Sequence, residues 1–185
     1  MSKQKQQPLD IIVKDAENIA LSGSDLETIT EGKANIIKYS DLHQYNSIDD
    51  VFGSKESIII LYLKKSNFGH WCCLFKAPWK PETLYFYDSY GFQLDEEIKF
   101  ADEQLRIHQG QEVPHLTHLI RKSNYYLEQN DFQYQSKEHH INTCGRWAGM
   151  RVRHMDMSPT QFKTFFTKNK HYTPDFWVSV LSIPS

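Results

Sequence analysis

Cysteine is scarce: three stand among 185 residues, and no two form a C-x-x-C pair. Cys72 and Cys73 are adjacent and Cys144 is far away. This excludes a dense disulfide framework and the paired-thiol spacing of a closed zinc ribbon, and it suits free thiols in a reducing compartment. Long apolar runs are missing as well. The longest, "SIIILYL", is too short to cross a bilayer, and the opening "MSKQKQQPLD" lacks the apolar stretch of a signal peptide. The expectation is an intracellular chain that is not secreted and has no membrane partner. Neither sign of charge dominates: 21 Lys and Arg against 23 Asp and Glu leave a net charge of −2. A global pull toward DNA or an acidic surface is excluded, so any basic partner site must be local. Internal repeats and low-complexity linkers are absent.

What is present can build a core. Hydrophobic residues make up 39% and aromatics 14% of the chain, a globular composition. The length suits one domain. Residues 1–185 are therefore read as a single domain, expected to be a monomer, with residues 1–10 as a flexible polar tail. In "SGSDLETITEG", Ser24 with Glu27 three residues on has the capping-box spacing that starts a helix, and "SIDDVFG" reads as a helical turn ended by Gly53. Three strands follow: "SIIILYLKK", "HWCCLFKAP" and "TLYFYDSYG", joined by hairpin-like loops "SNFG" and "WKPE". Alternation along the second sets one of Cys72 and Cys73 toward the core and the other outward. Residues 93–131 lean helical, and "YYLEQNDFQYQ" returns to an aromatic-rich strand. A helix is predicted from Cys144 to about Met157, then another capped by Ser158 with Pro159 at its first position. The final "TPDFWVSVLSIPS" is expected to cover an apolar groove. The fold class is α+β, a central mixed β-sheet flanked by helices, with a cysteine at the N-terminus of a core helix.

Four positions carry candidate chemistry. Cys144 precedes Gly145 and opens the helical stretch. The positive end of a helix dipole favours a thiolate there, and the glycine would let a substrate carbonyl approach the Cys144 amide, which could donate to an oxyanion. Alone, such a dipeptide more often marks a small buried residue. His70, in "FGHWCC", sits at a loop-to-strand junction that suits a positioned imidazole. Asp88 closes the next strand, on the face of Phe86 rather than that of Tyr85 and Tyr87. It reads either as a turn-former before Gly91 or as a carboxylate that orients an imidazole. If the two strands pair antiparallel, His70 and Asp88 lie at the same end and within hydrogen-bonding range. Gln133 and Gln135 stand upstream of Cys144, and a glutamine amide can supply a second oxyanion donor worth roughly 3–4 kcal/mol.

Two other groupings compete. His139, His140 and Cys144, with His154, suggest zinc, but adjacent histidines in a strand point to opposite faces and do not converge. Arg146, Arg151, Arg153 and His154 suggest a nucleic-acid stripe, although helical spacing sets Arg146 and Arg153 on one side and Arg151 on another, and a solvated face is the commoner meaning.

In order, the pieces "GHW", "YFYDSYGF" and "NTCGRW" resemble the adenain-like cysteine proteases, the group of the adenovirus maturation protease and the ubiquitin-like-protein (SUMO) proteases. The pattern is most similar to proteases of virophages, polinton-type elements and giant viruses. The ordered match spans about residues 55–157, with weaker likeness in "SDLETITEGKANIIKYSDL". In the cellular and adenovirus members the glutamine stands six or seven residues before the cysteine; here Glu138 and Lys137 hold those positions, and Gln135 lies nine before. An enlarged loop "SKEHHIN" accommodates the difference.

The resemblance implies a cysteine endopeptidase that cleaves viral capsid or other structural precursors during virion maturation, in the virion or the host cytoplasm. It assigns a triad to His70, Asp88 and Cys144, and an oxyanion hole to Gln135 (Gln133 being the lesser candidate) and the Cys144 backbone amide. It assigns support to Trp71, packed beside the imidazole, and to Gly145. It implies no required cofactor and no metal, with an activating peptide or DNA as the kind of cofactor such proteases use, and thus a weak nucleic-acid contact. The alternatives are a deubiquitinating or deSUMOylating isopeptidase, an acyltransferase on the same scaffold, and a non-enzymatic binding module.

Overall fold

A run of β-branched residues with no polar alternation calls for a strand covered on both faces. Ile58, Ile59 and Ile60 are such a run, and all three are fully buried, each contributing about 1.5–3 kcal/mol relative to exposure. The computed structural model describes residues 8–65 and 68–183. Its sheet has five strands in spatial order: β1 (Ala34–Lys38), β2 (Ser57–Lys65), β3 (Phe68–Lys76), β4 (Thr83–Tyr87) and β5 (Tyr126–Gln129). The β2–β3 and β3–β4 pairs are antiparallel, and β1–β2 and β4–β5 are parallel, so the sheet is mixed and the architecture α+β, as expected.

Both faces of this sheet are covered. Ile59, Cys73, Phe75, Tyr85 and Tyr87 pack under helices α2 (Gly23–Ile29), α6 (Cys144–Arg153), α7 (Pro159–Thr167) and α8 (Pro174–Leu181). On the opposite face, Ile58, Ile60, Cys72, Leu74 and Phe86 meet the 3-10 turn Tyr39–Gln44, α3 (Ile48–Phe52) and α5 (His115–Arg121). Cys72 and Cys73 thus enter two different cores, and neither faces solvent as alternation alone suggested. Burial pushes both thiols up, Cys73 to about 12, so they stay protonated and inert.

Several ends follow the expected caps. Gly53 ends α3 at φ 56°, and Ser158 caps α7 with Pro159 at its start. The second helix is capped two residues earlier than expected. Ser22 and Asp25, not Ser24 and Glu27, form the capping box, because the same serine-to-acid spacing recurs two residues upstream. The tail expected over residues 1–10 lies outside the described residues up to Gln7, and from Pro8 the chain is already helical in α1 (Pro8–Asn18). The helix expected to reach Met157 stops at Arg153. Between β4 and β5 lie the 3-10 turn Glu96–Phe100, α4 (Glu103–His108) and α5, in line with a helix-leaning stretch. No helix among the described residues is long and apolar enough to cross a membrane.

Candidate active site

The antiparallel β3–β4 register brings the start of one strand beside the end of the other. His70 and Asp88 meet there: His70 Nε2 lies 2.6 Å from Asp88 Oδ2, with both side chains buried. Such a length belongs to a charge-assisted bond. Asp88 serves both roles that the sequence left open. Its Oδ1 accepts from the Tyr90 backbone N–H at 2.7 Å and so forms the turn, while Oδ2 orients the imidazole. Its own backbone is held by Asn130, whose Oδ1 accepts from Asp88 N–H and whose Nδ2 donates to the Asp88 carbonyl. These side-chain bonds replace the β-ladder, and for that reason the strand expected over "YYLEQNDFQYQ" ends at Gln129. Gly91 completes the turn at φ 77°, where a Cβ would come within 2.9 Å of the Asp131 carbonyl oxygen.

With Nε2 on Asp88, Nδ1 is the free ring nitrogen. Burial alone would lower the His70 pKa. The charge and hydrogen bond of Asp88 outweigh it, with smaller contributions from Cys144 and Glu97, and hold the ring well above its ordinary value. Cys144 is the first residue of α6 and lies on the wall of a groove of about 850 Å³ together with His70, Trp71, Tyr90 and Gln135. Leu21, Ile36 and Leu61 give that groove an apolar flank.

Gln135 is buried in this cluster. Its Oε1 accepts from Ser89 Oγ at 2.7 Å, and its Nε2 donates one hydrogen to the Ile141 carbonyl at 3.2 Å. Gln133 is exposed, lies off the groove and donates to the Gln135 carbonyl. Of the two glutamines, the fold brings only Gln135 to Cys144.

Trp71 alternates to the face opposite His70 and packs under α6, donating Nε1–H to the Leu21 carbonyl at 3.0 Å. The ring stacked on His70 is Tyr90, with centroids 5.1 Å apart, so the expected packing of Trp71 on the imidazole is replaced by a tyrosine from the turn. Gly145 has a packing reason of its own. A Cβ there would lie 3.1 Å from Leu21 and 3.2 Å from Trp71, so its bareness seats α6 against Trp71 rather than opening room for a substrate.

Three neighbours of the site escaped the sequence reading: Asp175, Glu97 and Lys64. Asp175, from α8, is buried and accepts from Thr143 Oγ1 and Trp147 Nε1 on one oxygen and from the Ser136 backbone N–H on the other. It thereby ties the residue before Cys144 to the residue after Gln135, across the enlarged loop. Burial raises its pKa, and these three bonds pull the other way. Glu97 is also buried, with Oε1 3.7 Å from His70 Nε2 and Oε2 2.9 Å from Lys64 Nζ. Their signals were only an acid in a helix-leaning stretch and a lysine at a strand end, which are normally surface features.

The competing groupings do not assemble among the described residues. His139 and His140 are exposed, with His140 beside Glu138 at 3.2 Å, and His154 lies beyond the far end of α6. The arginines form neither a stripe nor a solvated face. Arg146 is buried, donating to the Ala16 carbonyl and to Ser182, and Arg151 is fully buried within 4.7–5.3 Å of four rings, Phe75, Trp79, Tyr85 and Phe162. Only Arg153 reaches solvent, beside Glu31. Because α6 is covered nearly all round, helical spacing could not tell an inward arginine from an outward one.

No protein-family profile matches the chain. It is 35% identical over 172 residues to the uncharacterized protein V9 of Sputnik virophage, across 90% of this chain and 96% of that protein. Among solved structures, the SUMO protease Ulp1 with its catalytic cysteine oxidized to a sulfinic acid aligns over 97% of this chain and 96% of its own, at 11% identity and a TM-score of 0.36.

Proposed function

The chain belongs to the family of the Sputnik virophage protein V9, and from that premise we propose that it is a cysteine endopeptidase that cleaves structural precursor proteins of a virus particle. The observation that carries the chemistry is the buried Asp88–His70 hydrogen bond, with Cys144 on the wall of the same groove. The virophage source of the relative supports the substrate class.

In this reading His70 Nδ1 takes the Cys144 proton, and the thiolate attacks the scissile carbonyl carbon. The oxyanion that forms accepts from the Cys144 backbone N–H and from the Gln135 amide hydrogen not given to Ile141. His70 then passes its proton to the leaving amine as the C–N bond breaks, leaving a thioester on Cys144. Water, deprotonated by the same imidazole, attacks the thioester, the C–S bond breaks, and the acid is released, leaving the Cys144 thiolate beside the imidazolium. Asp88 holds the ring in the tautomer that exposes Nδ1 throughout. An activating peptide remains compatible with this site, whereas a nucleic-acid activator has little support, since Arg146 and Arg151 are turned inward.

Co-expression with a capsid precursor from the same genome tests the proposal. The wild-type chain should cleave it and the Cys144→Ala variant should not, with unchanged thermal unfolding. Cleavage that survives in the variant would end the reading. Labelling of Cys144 by a ubiquitin or SUMO vinyl sulfone would move the substrate to an isopeptide bond.

A further inference from the structure

A second carboxylate faces the imidazole. Glu97 comes from the 3-10 turn Glu96–Phe100, outside the three-residue grouping of His70, Asp88 and Cys144, and its Oε1 stands 3.7 Å from the nitrogen that Asp88 already holds. It is buried, and neither of its oxygens has a hydrogen-bond donor. A buried ionised carboxylate without a partner is unfavourable, so Oε1 needs a positive charge in front of it. Lys64 neutralises the other side from the end of β2, at 2.9 Å from Oε2, with its side chain about one-fifth exposed.

With His70 neutral, two buried carboxylates share one ammonium; with His70 protonated, two positive charges face two negative ones. The titratable groups around the ring are Lys64 and Tyr62 on β2, Cys72 on β3, Asp88 and Tyr90 after β4, Glu97, and Cys144 on α6. Only Asp88 and Glu97 among them are carboxylates, so these two set the balance. His70 Nε2 and Asp88 Oδ2 stand at the spacing of a hydrogen bond, 2.6 Å, where two ligands of a tetrahedral metal ion at about 2.0 Å would stand about 3.3 Å apart.

Resting on the cysteine-protease reading, we propose that Glu97 is a positioning residue that holds His70 in its protonated form through charge, with Lys64 setting how strongly it does so. The imidazolium is thus kept beside the thiolate between turnovers. Asp88 supplies direction and Glu97 adds field.

The test is a carbon-13 NMR titration of the His70 ring in the full chain carrying Cys144→Ala, its signal assigned by loss in His70→Gln. This reads proton affinity whether or not the chain cleaves any substrate, so it can fail independently of the activity assay. Glu97→Gln, nearly isosteric, should lower the titration midpoint by about one pH unit, a tenfold loss of proton affinity. Lys64→Met should raise it. A structural role alone would lower the unfolding temperature and leave both midpoints in place, which overturns the proposal. If Glu97→Gln does not fold, Lys64→Met decides: an upward shift supports the proposal and an unmoved midpoint overturns it.

Discussion

Asp175→Asn tests how the two halves of the site are held together. Asp175 Oδ1 accepts from Thr143 and Trp147, while Oδ2 accepts from the Ser136 N–H at 2.7 Å. The amide will keep its oxygen where two donors converge, so its NH2 group turns toward Ser136. One half-buried N–H then loses its acceptor and meets another donor, a change of about 2 kcal/mol. In a chain of this length that lowers the unfolding temperature by about 4–8 °C. The Cys144 end stays tied, and the Gln135 end is released. A displacement of about 1 Å in a reacting group reduces rate by about 10²-fold. Hydrolysis of an activated ester, which needs the oxyanion donors, should therefore fall by roughly 30- to 100-fold. Alkylation of Cys144 by iodoacetamide, which needs only the thiolate, should change by less than about threefold. Parallel loss of both rates would show that Asp175 acts through the cysteine helix alone. Loss of stability with neither rate changed would reduce it to a folding residue.

Gln135→Ala should cut ester hydrolysis by about 10²–10³-fold and Gln133→Ala by no more than about twofold; equal effects would remove the glutamine from the oxyanion hole. The His70–Asp88 pair also predicts a pH signature in stability. Because the His70 pKa is raised on folding, its contribution is complete below the unfolded value of about 6.5 and fades as pH rises through the folded value. The gap in unfolding temperature between wild type and Asp88→Asn should therefore be widest near pH 6 and narrow on the alkaline side, leaving the part due to the Tyr90 turn. A gap that widens with pH would contradict the assigned direction.

The sheet was legible because its central strands announce themselves: an isoleucine run, and hairpins whose loops hold glycine or proline. Pairing of His70 with Asp88 followed from strand order and the period of two, and both local readings of Asp88 proved compatible once each oxygen was considered separately. What stayed hidden depends on burial that no local pattern encodes. Arg151 looks like any helix-surface arginine, yet four aromatic rings from three separate segments close around it. Asp175 lies 32 residues from its partner Thr143 and Glu97 lies 27 from His70, and both join the site only after the last helix and the 3-10 turn have docked. The exchange of Trp71 for Tyr90 against the imidazole follows from strand alternation, which turns Trp71 to the other face, where the Leu21 carbonyl accepts its N–H beside the bare Gly145.

The cysteine helix is strapped from both directions in the chain. Arg146 and Asn142 bond to carbonyls at Ala16, Glu17 and Asn18, and Thr143 bonds to Asp175. During translation, then, Cys144 is made well before its surroundings exist. The ribosome needs about 2–6 seconds, at about 5–20 residues per second, to add the 31 residues between Cys144 and Asp175. Over that interval the thiol lacks the clamp that joins it to Gln135. If the chain is the peptidase proposed above, its activity is expected to begin only once α8 has been made and docked.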